Sequence, residues 1–195
     1  FHFLFWPAML MGAGFALPDY LVVHGFLTVN KEKMSKSRGT FFTAEEFVNK
    51  YNAEYLRFYY AKVLSRKLAD VDLNFKDFKD SINNELVGNI GNFCYRTLSF
   101  TNKFLDSEVK DIEKDKNLIE KINKKVEKIK ESYNEVNYNG ALKEILAVSD
   151  LGNQYFQKNE PWKLVKQDKK KAQGVVGLCV NIVKNLSILI YPILP

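Results

Sequence analysis

The densest chemistry in the sequence lies in Lys33-Met34-Ser35-Lys36-Ser37-Arg38-Gly39. Two lysines, two hydroxyls and a glycine can surround a triphosphate, and lysine supplies point charge where negative charge grows during attack at phosphorus. The competing reading is a solvated basic turn, because any surface loop can hold two lysines. A second group is polar and helical: Asn89, Asn92 and Arg96 lie at i, i+3 and i+7, and Glu85 and Lys103 extend the same stripe. An amide and a guanidinium one turn apart can bond the edges of unstacked bases, although a merely wet helix face has the same pattern. The third group is Asn159-Glu160-Pro161-Trp162. A proline at a helix start would hold the indole at an exposed end as a stacking plane, with ordinary core burial of Trp162 as the alternative. Lys163, Lys166 and the lysine run 169–171 follow closely, fit either for nucleic-acid phosphates or for a solvated face.

The elements that must position these groups are read from apolar spacing. Residues 1–16 form an apolar helical element, and Leu21 to Val29, β-branched and aromatic around Gly25, suit a buried strand or hairpin. A polar loop runs from Asn30 to Thr40. Thr43 and Glu46, three apart ahead of Phe47, Val48 and Tyr51, are a capping box. A helix is expected from about Ala53 to Lys67, then a short strand or extended link over Asp70 to Phe75. From Phe78 one long helix carries Ile82, Leu86, Ile90, Phe93, Phe100 and Phe104 on one face. A second stripe runs through Leu118, Ile122, Val126, Ile129, Tyr133 and Val136, and a third through Leu142, Ile145, Ser149, Tyr155 and Phe156. A fourth runs from Val175 to Ile190. Four helices with one apolar face each make a bundle.

At 195 residues the chain holds one domain of roughly 100 to 150 residues plus part of another. We divide it into residues 1–75, mixed α/β with the lysine loop and a connector, and residues 76–195, helical. The 46% hydrophobic content excludes disorder, and the 27% charged residues suit a soluble protein. The net charge of +6 permits a polyanionic partner without requiring one. Cys94 and Cys179 read as buried, reduced thiols, and no metal-ligand set is present. The stretch from Val175 to Pro195 reaches membrane-spanning length only by including Asn181, Lys184 and Asn185, so it reads as a core helix, and the chain as cytoplasmic without a membrane partner.

The order of residues in the lysine loop resembles the KMSKS signature of class I aminoacyl-tRNA synthetases. Its flanks, Phe1-His2, Phe5-Trp6-Pro7-Ala8-Met9-Leu10 and Val23-His24-Gly25-Phe26-Leu27-Thr28-Val29-Asn30, look like the methionyl-tRNA synthetase family. Leucyl, isoleucyl and valyl enzymes usually have an aspartate near Asn30 and an asparagine at Thr40, and this chain has neither. Gly91-Asn92-Phe93-Cys94-Tyr95-Arg96 matches the family's anticodon-reading helix at Asn92 and Arg96, and Asn159-Glu160-Pro161-Trp162 its anticodon-stacking tryptophan.

The resemblance implies a mainly α chain: the C-terminal remnant of a Rossmann-type α/β catalytic domain with its KMSKS loop, then an α-helical bundle that binds the anticodon. It implies that Lys33, Met34, Ser35, Lys36 and Ser37 close over ATP and its Mg2+. Lys33 and Lys36 would be catalytic, stabilising the attack of the methionine carboxylate on the α-phosphorus. It places His2 in the methionine pocket, and Asn92, Arg96 and Trp162 on the anticodon of tRNA(Met). The family's HIGH-type signature and zinc-binding insertion would precede Phe1, so the piece alone is expected to be inactive. Another class I synthetase, or a non-catalytic helical module that binds RNA, remains the alternative.

Overall fold

The computed structural model describes residues 1–35 and 43–195. Lys36 and Ser37, two of the expected loop residues, lie outside the described residues. Helix α1 (Phe5–Gly12) is shorter than the apolar run and buries none of its side chains; Phe1, ahead of it, is 93% exposed. The expected strand over Leu21 to Val29 shrinks to β1 (Leu27–Val29); Gly25 and Phe26 still share backbone hydrogen bonds with Ala69 and Val71, and residues 21–24 make none among the described residues. It pairs antiparallel with β2 (Glu32–Lys33) and parallel with β3 (Val71–Leu73), giving the order β2-β1-β3.

The hairpin turn is Asn30-Lys31, both with left-handed φ (49° and 67°), the two-residue geometry whose twist matches the flanking strands. Asn adopts this conformation more readily than Lys, so the turn gains from an anchor. Asp72 of β3 supplies it: one carboxylate oxygen accepts the Lys31 backbone N–H at 2.7 Å and the Thr28 hydroxyl at 2.6 Å.

Thr43 and Glu46 close the expected capping box at the start of α2 (Ala44–Val48): the Glu46 N–H donates to Thr43 Oγ1 at 3.0 Å, and the Thr43 N–H donates to Glu46 Oε2 at 2.6 Å. Helix α3 (Ala53–Val63) starts on an Asn52 cap and stops four residues short of Lys67. Leu64 turns extended, and the Asn139 side chain donates to the Lys62 carbonyl, filling one of the acceptors a helix end leaves open. Arg66 is then free to reach Glu135 at 2.7 Å.

The long helix is real but not uniform. It comprises α4 (Phe75–Asp80), a π-wound segment (Ser81–Gly91) and α5 (Asn92–Phe104), running on without a break. Against it pack α7 (Tyr138–Asn159) and α9 (Lys169–Ile190), with α6 (Lys116–Asn134) laid on α7 and the short α8 (Pro161–Gln167) on α9. Val136 is not on α6 as its spacing suggested. It sits in the α6–α7 turn with a φ of 56°, followed by Asn137, which caps α7.

The core runs through all four long helices, with Phe93, Ile129, Ile145, Val175 and Cys179 fully buried. Helix α9 is the one described helix long and apolar enough to cross a membrane by length and composition. Eleven of its residues are nevertheless covered by protein, and each large aliphatic side chain so buried contributes ~1.5–3 kcal/mol. It is the core helix that the spacing predicted. Two glycines let neighbours close in. At Gly177 an added Cβ would lie 2.8 Å from Val109 of the α5–α6 connection, and at Gly152 it would lie 2.6 Å from Cε1 of Phe93.

Burial also makes the core sensitive to alkali. It pushes the Cys179 thiol up to about 12, against a smaller opposing effect of the Arg96 charge. Burial likewise pushes the Tyr133 hydroxyl, which donates to the Leu189 carbonyl at 2.7 Å, up to about 12. Both groups are held protonated in the folded chain, so their stabilisation is complete below their ordinary values of 9.0 and 10.0 and is lost as pH rises toward 12. The melting temperature should stay flat near neutral pH and fall above pH ~9, with Cys179 accounting for on the order of 1–3 kcal/mol. An alkaline slope identical in Cys179→Ala would show that the thiol does not contribute.

Candidate functional site

The π-wound segment and α5 form one wall of an open groove of about 710 Å³, and α7 forms the other. From the first wall come Asn84, Gly88, Asn89, Asn92 and Arg96; Asp150, Asn153, Gln154, Gln157 and Lys158 come from α7. The local winding shapes this lining, since π turns are wider than α turns and recur at functional positions. Gly88 suits it: a Cβ there would stand 2.9 Å from the Asn83 carbonyl oxygen.

Asn89 is committed to the opposite wall. Its amide donates to Asp150 Oδ1 at 2.9 Å and to the Leu146 carbonyl at 3.4 Å, while the Asn153 amide donates back to the Asn89 carbonyl at 3.4 Å. Two buried acceptors, Asn89 Oδ1 and Asn153 Oδ1, have no partner among the described residues. Asn92 is exposed in the groove. Arg96 is held twice: its Nη2 donates to Gln157 Oε1 at 2.8 Å, and its guanidinium lies 5.0 Å from the centroid of the Phe156 ring.

Trp162 does not line the groove. It is half-buried at the start of α8, after Pro161 in the first helical turn, and packs on the Phe156 ring, with centroids 6.1 Å apart. Core burial and surface presentation thus share this side chain. The preceding residue, Glu160, adopts φ 43° and ψ 57°, which turns the chain sharply between α7 and α8, and Lys163 pairs with it at 2.8 Å.

The lysine-loop residues lie elsewhere. Lys33 ends β2, with its Nζ 5.2 Å from the Phe26 ring, and Met34 and Ser35 follow directly, half-buried. His2 is exposed beside Phe1, Phe5, Trp6 and Met9 in a separate apolar hollow that does not include Lys33. Among the described residues, no group of three or more His, Cys, Asp or Glu side chains is placed to hold a metal. Cys94, expected to be buried, is half-buried, and burial raises its thiol pKa.

Reading the sequence missed the α7 wall. Its signal was present, since Asp150, Asn153, Gln154, Gln157 and Lys158 recur at helical spacing opposite the apolar stripe of the same helix.

Residues 1–98 match the family described as tRNA synthetases class I (M), and residues 107–195 match the family described as the anticodon binding domain of methionyl tRNA ligase. The class is that of the class I aminoacyl-tRNA synthetases. Similar chains include a methionine–tRNA ligase of Methanopyrus kandleri, 44% identical over 194 residues, covering 100% of this chain and 29% of the relative. A methionine–tRNA ligase of Vesicomyosocius okutanii is 40% identical over 197 residues, covering 100% and 36%. Among solved structures, Mycobacterium tuberculosis methionyl-tRNA synthetase in complex with methionyl-adenylate superposes with a TM-score of 0.86 at 27% identity, over 100% of this chain and 40% of that one. The chain belongs to the methionyl-tRNA synthetase family of class I. It spans about a third of the length of the curated relatives it matches.

Proposed function

We infer that the full protein is a cytoplasmic methionine–tRNA ligase, which activates methionine with ATP and transfers it to tRNA(Met). In this reading residues 1–75 are the end of a Rossmann-type catalytic domain and residues 76–195 its anticodon-binding bundle. Lys33 and Lys36 supply charge to the reacting phosphate, with Met34, Ser35 and Ser37 completing the KMSKS loop around ATP. Mg2+ enters with the ATP, and zinc belongs to another part of the protein. His2 borders the methionine pocket. The hairpin anchor at Asp72 supports the loop assignment, because it fixes the turn from which Lys33 emerges.

The observation that carries the reading is the groove, where Asn92 and Arg96 share a wall and face amides of α7. Unstacked bases are read by such edges, and Asn92, exposed in the groove beside Arg96, offers an amide to them. Fixed donors discriminate because a wrong base leaves them unpaired. Lysine cannot replace Arg96, since it lacks the planar fork that bonds Gln157 and a base edge together.

Arg96→Lys should keep charge and general tRNA affinity while narrowing the preference for tRNA(Met) over the same tRNA with an altered wobble base by ~5- to 150-fold, corresponding to about 1–3 kcal/mol per good base contact. Asn92→Ala should act in the same direction. The measurement is aminoacylation of both tRNAs by the full-length enzyme at one salt concentration, with a thermal melt as the folding control. A preference unchanged in both variants would refute anticodon reading by this wall.

A further inference from the structure

Arg96 and Trp162 stand on different helices, α5 and α8, and make no direct hydrogen bond or ring contact with each other among the described residues. One side chain touches both. The Phe156 ring carries the Arg96 guanidinium at 5.0 Å from its centroid and meets the Trp162 indole at 6.1 Å and 43°. It is held in turn by the Phe100 ring, edge-on at 6.0 Å and 85°. At 3% exposure Phe156 cannot itself reach a ligand, so any part it has in recognition is indirect.

We propose that Phe156 is a positioning residue: a shared platform that sets the Arg96 guanidinium and the Trp162 indole at a fixed separation, so that base bonding and base stacking act as one unit. The proposal rests on the reading that Arg96 and Trp162 contact the anticodon. Its physical basis is the ring face. A guanidinium over an aromatic face is attracted by the ring quadrupole, increasingly so as water is excluded, and Phe156 is buried beneath it. The next residue of α7, Gln157, bonds Nη2 at 2.8 Å, so two consecutive positions grip the group by its face and by its edge.

Arginine has several rotatable bonds and much rotamer freedom to lose. Held this way, it loses that freedom on folding rather than on binding RNA, which is how preorganisation improves discrimination. Leucine at 156 would fill much of the same space but offers neither a quadrupole nor a flat face. The competing role is packing alone, since Phe156 also belongs to the hydrophobic cluster.

The test uses the full-length enzyme, with aminoacylation of tRNA(Met) and of its wobble-altered form, and Arg96→Lys as the reference. Two changes are made at position 156: Phe156→Leu, and site-specific replacement by 3,4,5-trifluorophenylalanine, which keeps the ring shape and drains negative charge from its face. Both should narrow the tRNA preference by about three- to tenfold, and the fluorinated ring should do so without lowering the melting temperature. The effects of Arg96→Lys and Trp162→Ala on tRNA binding should be non-multiplicative with Phe156 present and multiplicative with Phe156→Leu.

A lower melting temperature for Phe156→Leu with an unchanged preference in both position-156 variants would make Phe156 core only and overturn the proposal. If Arg96→Lys narrows the preference in that same experiment, the anticodon reading survives and the platform alone fails. If Arg96→Lys also leaves the preference unchanged, both fall.

Discussion

Gly152→Ala should lower the melting temperature of the protein by roughly 2–12 °C, from about 1–3 kcal/mol of overpacking in a chain of this size. The added methyl would sit 2.6 Å from Cε1 of Phe93, a ring with no exposed surface, so neither the ring nor the backbone of α7 can yield without disturbing others. Phe93 is the residue after Asn92, and Gly152 precedes Asn153 by one. The strain therefore falls directly behind both walls of the groove, and tRNA affinity should drop together with stability. Phe93→Leu should partly restore the Gly152→Ala protein, because a smaller side chain reopens the space. A melting temperature within one degree of the native protein for Gly152→Ala alone would show that α5 and α7 are not in close contact at this point.

The same pair of helices shows what the sequence could and could not reveal. Local signals were legible: Thr43 and Glu46 lie one turn apart and cap their own helix, and the apolar stripes of α6, α7 and α9 need only the helical period. Features that depend on a distant partner were not. Val22 and Val23 have strand chemistry, yet they join no ladder among the described residues, and Val22 is 63% exposed; a strand exists only where a ladder partner lies. Helix α3 stops early where Leu64 turns extended and Asn139, far along the chain, takes the Lys62 carbonyl. The π winding was hidden because Ile82, Leu86 and Ile90, spaced by four, keep one buried face in either kind of helix, only Leu86 remaining half-exposed. At the site, Asn92 and Arg96 could be singled out from their own helix, whereas Gln157 and Phe156 became partners of Arg96 only once α7 was laid against α5.

Lys33→Ala in the full-length enzyme should lower the rate of methionine-dependent pyrophosphate exchange by about 10²–10³-fold while changing methionine affinity little, and Lys36→Ala should do the same. The reasoning is electrostatic. Charge on the phosphoryl oxygens grows as the carboxylate attacks, so a fixed ammonium contributes more in the transition state than in the ground state, and its loss appears in the rate of the step rather than in binding. For Lys33 the structure adds a reason for fixed placement. It closes β2 opposite Thr28, and the turn before it is clamped by Asp72 through the Lys31 N–H and the Thr28 hydroxyl. Asp72→Ala, which removes both bonds without touching any lysine, should therefore reduce the exchange rate in the same direction by a smaller factor, about tenfold, matching the ~1.5 kcal/mol expected from charge-assisted hydrogen bonds. Lys33→Arg separates charge from placement. If point charge at a set position is what matters, arginine restores part of the rate in the native background and less of it in Asp72→Ala. An exchange rate in Lys33→Ala within twofold of native, at saturating ATP and methionine, would show that this lysine takes no part in activation and that the loop's work rests on other residues.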